Sequence, residues 1–345
     1  MNFSKYIVHF PYRIAWAVAH KFKKQKSIHF YCAGQVDYVV MESIIQHFSE
    51  GVVVAKNRKV RKDLKKYGIE SKLYPTFPDI VVIPRHTARK YPEPKIKKVG
   101  MRHGAYHFKD FVKASRYHMF DIYFVTSNEE VGLAQKKGIK NTKAIGFPKL
   151  DSFFDGTYTT DQLDSYRKKH KIDRDKPVLL FTTTWDKSGT SAIKHWIHRL
   201  DELTADYYVL VTVHQWTNKK YIQLLKNNKH IAYLEDKNIL PYLLIADIMI
   251  ADLSSIIAEF CALDKPIITY IVPDGKRTPK EIKDMLADIS IRVNSFDEMK
   301  TAVQLALSEP NKQSDARKKY NRIMFDELDG KAGLRAAEII KKMYF

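Results

Sequence analysis

The sequence predicts an α/β protein made of two doubly wound domains. Short apolar runs alternate with amphipathic helical stretches along almost the whole chain, the pattern of parallel strands covered by helices on both faces. A polar, strand-free segment, 151–176, interrupts that alternation near the middle. The 345 residues are also enough to fill two separate cores. The expected divisions are a basic amphipathic helix at 1–26, a first domain at 27–155, a linker at 156–176, a second domain at 177–314 and C-terminal helices at 315–345.

Residues 1–26 place Phe3, Ile7, Phe10, Ile14 and Val18 near one helical face, with Tyr12 and Trp16 beside it and Lys21, Lys23, Lys24 and Lys26 after it. This is the composition of a helix lying in a membrane interface; a helix packed on its own domain would look similar. His9, Pro11 and Arg13 interrupt it, and it is too short to span a bilayer. Ala17-Val18-Ala19 has the form of a signal-cleavage site, but no basic segment and clean apolar core precede it.

In the first domain, strands are expected at 28–33, 52–55, 79–84, 99–102, 121–126 and 144–147, with helices at 36–48, 59–67 and 129–137. In the second, strands are expected at 178–183, 208–213, 231–234, 247–251, 266–272 and 290–293. Helices at 191–203, 219–226, 279–286 and 296–307 separate them, and helices at 315–325 and 331–343 end the chain. The most informative unit is 245–270, where the apolar run Asp247–Ala251 leads through Asp252, Ser254 and Ser255 into Ile256, Ile257, Phe260 and Leu263 at helical spacing. Hydroxyls at such a strand-to-helix junction suit a phosphate group, although serine is also a common N-cap.

Lysine and arginine number 59 against 39 aspartate and glutamate, a formal net charge of +20. That excess points to an anionic partner. No nucleic-acid-binding motif is present, so nucleic acid is not the expected partner. Cys32 and Cys261 lie in apolar contexts without metal spacing, as buried free thiols would. No structural metal and no cofactor are expected. Asp173-Arg174-Asp175 lies in a charged segment before a strand and reads as solvated.

In doubly wound sheets ligands bind beyond the carboxyl ends of the strands, so candidate residues are sought there. His103, followed by Gly104, stands at an open strand end where a neutral imidazole can take a proton from a hydroxyl. His107 is a weaker candidate. Lys149, in Gly146-Phe147-Pro148-Lys149-Leu150-Asp151, offers a cation to phosphate; a solvated loop lysine is the plain alternative. His214 follows the strand 208–213 and suits charge stabilisation on a departing phosphate. Thr184 and Trp185 end the strand 178–183 in a polar loop that suits an anionic ligand.

Together, in this order, these pieces resemble the CDP-glycerol glycerophosphotransferase family, the teichoic-acid primases and polymerases. The matching residues are His103-Gly104, the Gly146–Asp151 motif, Thr184-Trp185, His214, Asp252-Leu253-Ser254-Ser255, Lys265-Pro266-Ile267-Ile268 and Asp329-Gly330-Lys331-Ala332-Gly333-Leu334-Arg335. The sequence departs from the family pattern at Ala105-Tyr106-His107, at Asp186 where an arginine is usual, and at Lys149, which keeps charge but not bidentate geometry.

The resemblance implies a GT-B fold, two Rossmann-like domains facing across a cleft, with the C-terminal helices returning to the first domain. It implies transfer of a polyol phosphate, by default glycerol phosphate, from a CDP-activated donor to a hydroxyl of a glycan or lipid-linked acceptor in cell-surface polymer synthesis. His103 is then the general base and His214 a charge stabiliser. Ser254 and Ser255 hold the pyrophosphate, Asp252 orients the serine loop and Glu259 accepts from a ribose hydroxyl. Thr184, Trp185 and Lys149 complete the expected donor site. The basic surface and N-terminal helix imply a cytoplasmic enzyme peripheral to the anionic inner face of the membrane. A GT-B glycosyltransferase using a nucleotide sugar is the alternative.

Overall fold

The computed structural model describes residues 3–21, 23–236, 238–275 and 278–345; for residues 3–8 and Ser188 only the backbone is described. Met1, Asn2 and Phe22 of the expected interface helix, and the side chains of Phe3 and Ile7, lie outside the described residues. The chain forms two compact units. The first is 1–103, 111–155 and 328–345, and the second is 104–110 and 156–327.

The first unit is built on a seven-stranded parallel sheet. Its strands are β1 (Ile28–Cys32), β2 (Val52–Ala55), β3 (Lys72–Leu73), β4 (Ile80–Ile83), β5 (Lys97–Met101), β6 (Ile122–Val125) and β7 (Thr142–Ala144), in the order β3-β2-β1-β4-β5-β6-β7. β1 and β4 are buried along their whole length, hence their apolar sequence, which only His29 interrupts. Gly100 in β5 leaves room for the Tyr123 ring of β6, which a Cβ would strike.

The helix Phe3–His20 belongs to this unit and has two contrasting faces. Tyr12 Oη donates to the Thr76 carbonyl (2.6 Å) and Trp16 Nε1 to the Pro78 carbonyl (2.8 Å). His20 and Lys23 both reach Asp79. Phe10, Ile14 and Val18, four residues apart, remain 60%, 50% and 66% exposed. No helix among the described residues is long and apolar enough to cross a membrane.

The second unit carries a six-stranded parallel sheet. Its strands are β8 (Val178–Thr183), β9 (Tyr208–Val213), β10 (Ala232–Tyr233), β11 (Ile248–Ala251), β12 (Ile267–Tyr270) and β13 (Ile291–Val293), in the order β10-β9-β8-β11-β12-β13. Its core packs Phe181, Trp196, Val211, Ile250, Tyr270 and Met299. The helix expected over 191–203 is broken into Ile193–Trp196 and a 3₁₀ turn, Leu200–Leu203. The segment 156–176, expected as a linker with a charged helix near 162–170, holds the helix Thr160–Lys169, which packs on the helix Leu240–Ile245 within this unit.

The two C-terminal helices go to different units, and specific contacts explain why. Ser314–Phe325 is fastened to the second unit by Arg317, fully buried, whose Nε donates to Asp264 Oδ1 (2.8 Å) and whose Nη2 donates to the Pro310 carbonyl (3.0 Å). Ala332–Tyr344 packs on the helix Gln35–Ile45 of the first unit, so closely that a Cβ on Gly333 would collide with Ser43. Asp151 receives the free N–H groups of Ala332 (3.0 Å) and Gly333 (2.7 Å) at that helix's start, and the Ser43 hydroxyl (2.5 Å). Arg335 pairs with Asp329 (2.8 Å) and donates to the Ile145 carbonyl (2.9 Å). The motifs 146–151 and 329–335 therefore lock each other.

His29 of β1 is buried, and its Nδ1 lies 3.0 Å from Thr76 Oγ1. Burial, with Lys23 and Lys72 nearby, lowers its pKa from 6.5 to about 4. Between those values the unfolded chain binds a proton that the folded chain refuses, so stability falls as pH drops through the window. Acidification to about pH 5 costs about 2 kcal/mol from this residue alone. His29→Gln, followed by denaturant unfolding at neutral and acid pH, is expected to flatten that part of the pH dependence.

Candidate active site

In the second unit the strand order reverses between β8 and β11, so the crevice beyond their carboxyl ends is the natural ligand site. Asp252, directly after β11, is almost fully buried there. Its Oδ2 accepts from Thr183 Oγ1 (2.6 Å) and the Ala192 N–H (3.0 Å), and its Oδ1 from the Thr184 N–H (2.9 Å), the Thr184 hydroxyl and the Leu253 N–H (2.6 Å). Burial raises its pKa, and these donors pull it back. With its lone pairs committed, Asp252 ties the end of β8, the 191–192 turn and its own loop into one piece. The Thr184 hydroxyl is likewise committed to Asp252.

Ser254 and Ser255 follow on this anchored loop, both half-buried. Ser255 is the N-cap residue of the helix Ile256–Cys261, yet its side chain makes no cap hydrogen bond. Among the described residues neither serine hydroxyl has a hydrogen-bond partner, so plain N-capping does not account for them. Gly104, which groups with this unit, stands where a Cβ would lie 3.1 Å from Ser255 Oγ. Glu259 is buried in the same helix rather than on the surface.

His214 follows β9, the neighbour of β8. The Trp216 N–H donates to His214 Nδ1 (3.2 Å), which leaves Nε2 as the protonated nitrogen of the neutral ring. Trp185 and Trp216 meet edge to face with centroids 5.5 Å apart, and Trp216 is 61% exposed. Asp186, at the position of the family's arginine, accepts the Asn218 N–H (2.9 Å) and so ties the β8 loop to the β9 loop. Asp173 and Asp175 both accept from the Tyr208 hydroxyl.

His103 lies in the first unit, beyond β5. Its pKa is lowered from 6.5 to about 4 by desolvation and by Arg85, with smaller repulsion from Arg102 and His86, against one backbone hydrogen bond to Pro84. The ring is neutral at physiological pH and keeps one nitrogen for accepting a proton. Lys149 is also in the first unit, buried in the 3₁₀ turn Pro148–Leu150 rather than solvated. His107 is buried with its ring against Tyr106.

Sequence reasoning missed two groups. Trp216 stands two residues beyond His214, and Arg85 stands beyond β4 with its Nε donating to Asp37 Oδ1 (2.7 Å). The same strand-end rule that picked out His103 applies to Pro84-Arg85-His86.

Comparison with known proteins shows the family and the fold. The profile of the CDP-Glycerol:Poly(glycerophosphate) glycerophosphotransferase family matches residues 95–342. The teichoic acid poly(ribitol-phosphate) polymerase of Bacillus spizizenii is 25% identical over 216 residues, 59% of this chain and 34% of that protein. The teichoic acid glycerol-phosphate primase of Bacillus subtilis is 29% identical over 172 residues, 45% of this chain and 40% of that protein. The chain thus spans about a third of the length of the curated relatives it matches. Among solved structures, the wall teichoic acid polymerase TagF superposes with a TM-score of 0.71 at 16% identity, over 99% of this chain and 97% of that one. A putative UDP-N-acetylglucosamine 2-epimerase from Listeria monocytogenes superposes with a TM-score of 0.65 at 14% identity, over 93% and 97%. The fold is α/β of the GT-B class, as expected. With the family profile running from before His103 to beyond Arg335, this chain belongs to the CDP-glycerol:poly(glycerophosphate) glycerophosphotransferase family.

Proposed function

We propose that this chain transfers a polyol phosphate from a CDP-activated donor, CDP-glycerol first, to a hydroxyl of a glycan or lipid-linked acceptor and releases CMP. The observation that carries this reading is the pair of uncommitted hydroxyls, Ser254 and Ser255, held at the β8/β11 reversal by the fully engaged Asp252. Such a rigid, hydroxyl-rich turn suits a pyrophosphate.

In the proposed step, the free nitrogen of His103 takes the proton from the acceptor hydroxyl. The acceptor oxygen bonds to the phosphorus that carries the polyol. The bond from that phosphorus to the bridging oxygen breaks, and CMP departs with the electron pair. His214 donates from Nε2 to the phosphate oxygens as charge moves onto CMP. Glu259 accepts from a ribose hydroxyl, Trp185 lines the donor side, and Thr184 acts indirectly by holding Asp252. Lys149, in the first unit, supports the Gly146–Asp151 turn and adds positive charge there. We assign the donor half of the reaction to the second unit and the acceptor half to the first, with the helix 3–20 as a membrane attachment.

That attachment rests on the exposed stripe Phe10, Ile14 and Val18, with Lys21 and Lys24 following it. Apolar side chains entering the headgroup boundary, with lysines drawn to anionic lipid, would hold the protein on the inner leaflet.

Thermal shift tests the donor. CDP-glycerol, CDP-ribitol and CMP are expected to raise the unfolding midpoint where UDP and UDP-sugars do not; stabilisation by uridine ligands alone would favour a nucleotide-sugar glycosyltransferase. His103→Ala is expected to lower kcat about 100-fold to 10,000-fold while CDP-glycerol still binds, and near-normal turnover would remove His103 as the base. Because His103 protonates only near pH 4, kcat/KM is expected to stay flat as pH falls through 6.5; an acid limb centred there would contradict the assignment. Phe10→Glu with Ile14→Glu is expected to reduce sedimentation with phosphatidylglycerol vesicles about tenfold or more, with phosphatidylcholine vesicles as the weakly bound control.

A further inference from the structure

The first unit has its own reversal of strand order, between β1 and β4, and nothing in the reaction described above uses it. Two segments meet there: the turn from β1 into the helix Gln35–Ile45, and the residues leaving β4. Asp37, in the first turn of that helix, is completely buried and accepts the N–H groups of Ala33 (2.8 Å) and Gly34 (3.2 Å). Arg85, two residues beyond β4, donates through Nε to both oxygens of Asp37, at 2.7 and 3.0 Å.

This geometry fixes the arginine by its inner nitrogen. Its outer Nη groups have no hydrogen-bond partner among the described residues, and its side chain is 29% exposed. A Cβ placed on Gly34 would meet nothing within 4 Å, so the space beside the turn is open. Ile83 of β4 pairs with Gly100 of β5. Arg85 and Arg102, each two residues further on, therefore leave the sheet side by side. Arg102 is committed to the buried Glu130 (2.8 Å) and lies over the Phe111 ring, so Arg85 carries the presented charge.

We propose that Arg85, braced by Asp37, binds phosphate oxygens of the substrate at this reversal, the anion being a phosphate ester of the acceptor. A guanidinium held at Nε presents Nη1 and Nη2 as a fork, the geometry that grips a phosphate through two parallel hydrogen bonds. Its place next to the strand bearing His103 is consistent with its charge repelling a proton there. An acceptor phosphate held by Arg85 would put the neighbouring hydroxyl of the same polyol unit within the reach of His103. The proposal rests on the transfer reaction above, and it names the acceptor as phosphorylated.

Initial rates with octyl glycerol phosphate and octyl glycerol, acceptors that differ only by the phosphate, test it. Arg85→Gln is expected to raise KM for octyl glycerol phosphate about 10-fold to 100-fold, the size of one lost charge-assisted pair, and to leave octyl glycerol and CDP-glycerol unchanged. A rise confined to KM for CDP-glycerol would assign the same guanidinium to the donor's pyrophosphate. Equal losses with both acceptors and no change for the donor would overturn the proposal. Arg85→Lys keeps the pair with Asp37, and Asp37→Asn with Arg85→Gln removes both charges, so loss of folding is separated from loss of phosphate binding. Titration with inorganic phosphate gives a readout independent of turnover. Binding to the wild-type protein that is weakened in Arg85→Gln supports the site even if no CDP-polyol is consumed, and equal binding by both overturns it.

Discussion

The second unit depends on one carboxylate. Asp252 gathers hydrogen bonds from the end of β8, from Ala192 and from its own loop, and so ties the serine turn to the neighbouring strand. A buried charge is costly unless saturated with donors, and here saturation is what gives the loop its single shape. The Ser254 and Ser255 hydroxyls can then remain uncommitted, because the rigidity they need comes from their neighbour. Asp186, bonded to the Asn218 N–H, extends the same logic to the loop that carries His214 and Trp216.

The first unit uses a different device. Its strand-end histidine is kept neutral by desolvation and by nearby cations, and the cations are held by buried acids, Asp37 and Glu130. Both acids are tied into the start of the helix on which they sit, Asp37 through Ala33 and Gly34, Glu130 through Thr126 and Ser127. Positive charge is therefore presented at the sheet edge on rigid supports, as pre-organised binding requires.

Much of this was legible in the sequence. The apolar runs that became β8, β9 and β11 read correctly because strands buried on both faces must be apolar throughout. The strand-end rule found His103, His214 and the serine turn. It could not tell which strands are neighbours, so the reversals between β1 and β4 and between β8 and β11 came only with the fold. The burial of Lys149 and Glu259 was not legible, because charge alone carries no sign of it. The helix expected over 191–203 divides into two short pieces, Ile193–Trp196 and Leu200–Leu203, and no local pattern marks the break. The motifs around Asp151 and Arg335 read as separate matches in the sequence, and the structure joins them through Asp151 and the N–H groups of Ala332 and Gly333.

The lock between those motifs has a consequence for biosynthesis. The helix Ala332–Tyr344 is a structural member of the first unit, seated on the helix Gln35–Ile45 and started by Asp151. The second unit, by contrast, ends at Glu327. A ribosome reading this chain from its N-terminus thus delivers every residue of the second unit before the first can close. Until translation has passed Tyr344, the surface of the first unit that receives Gly333 stays uncovered. The half of the molecule that is made first is the half that matures last.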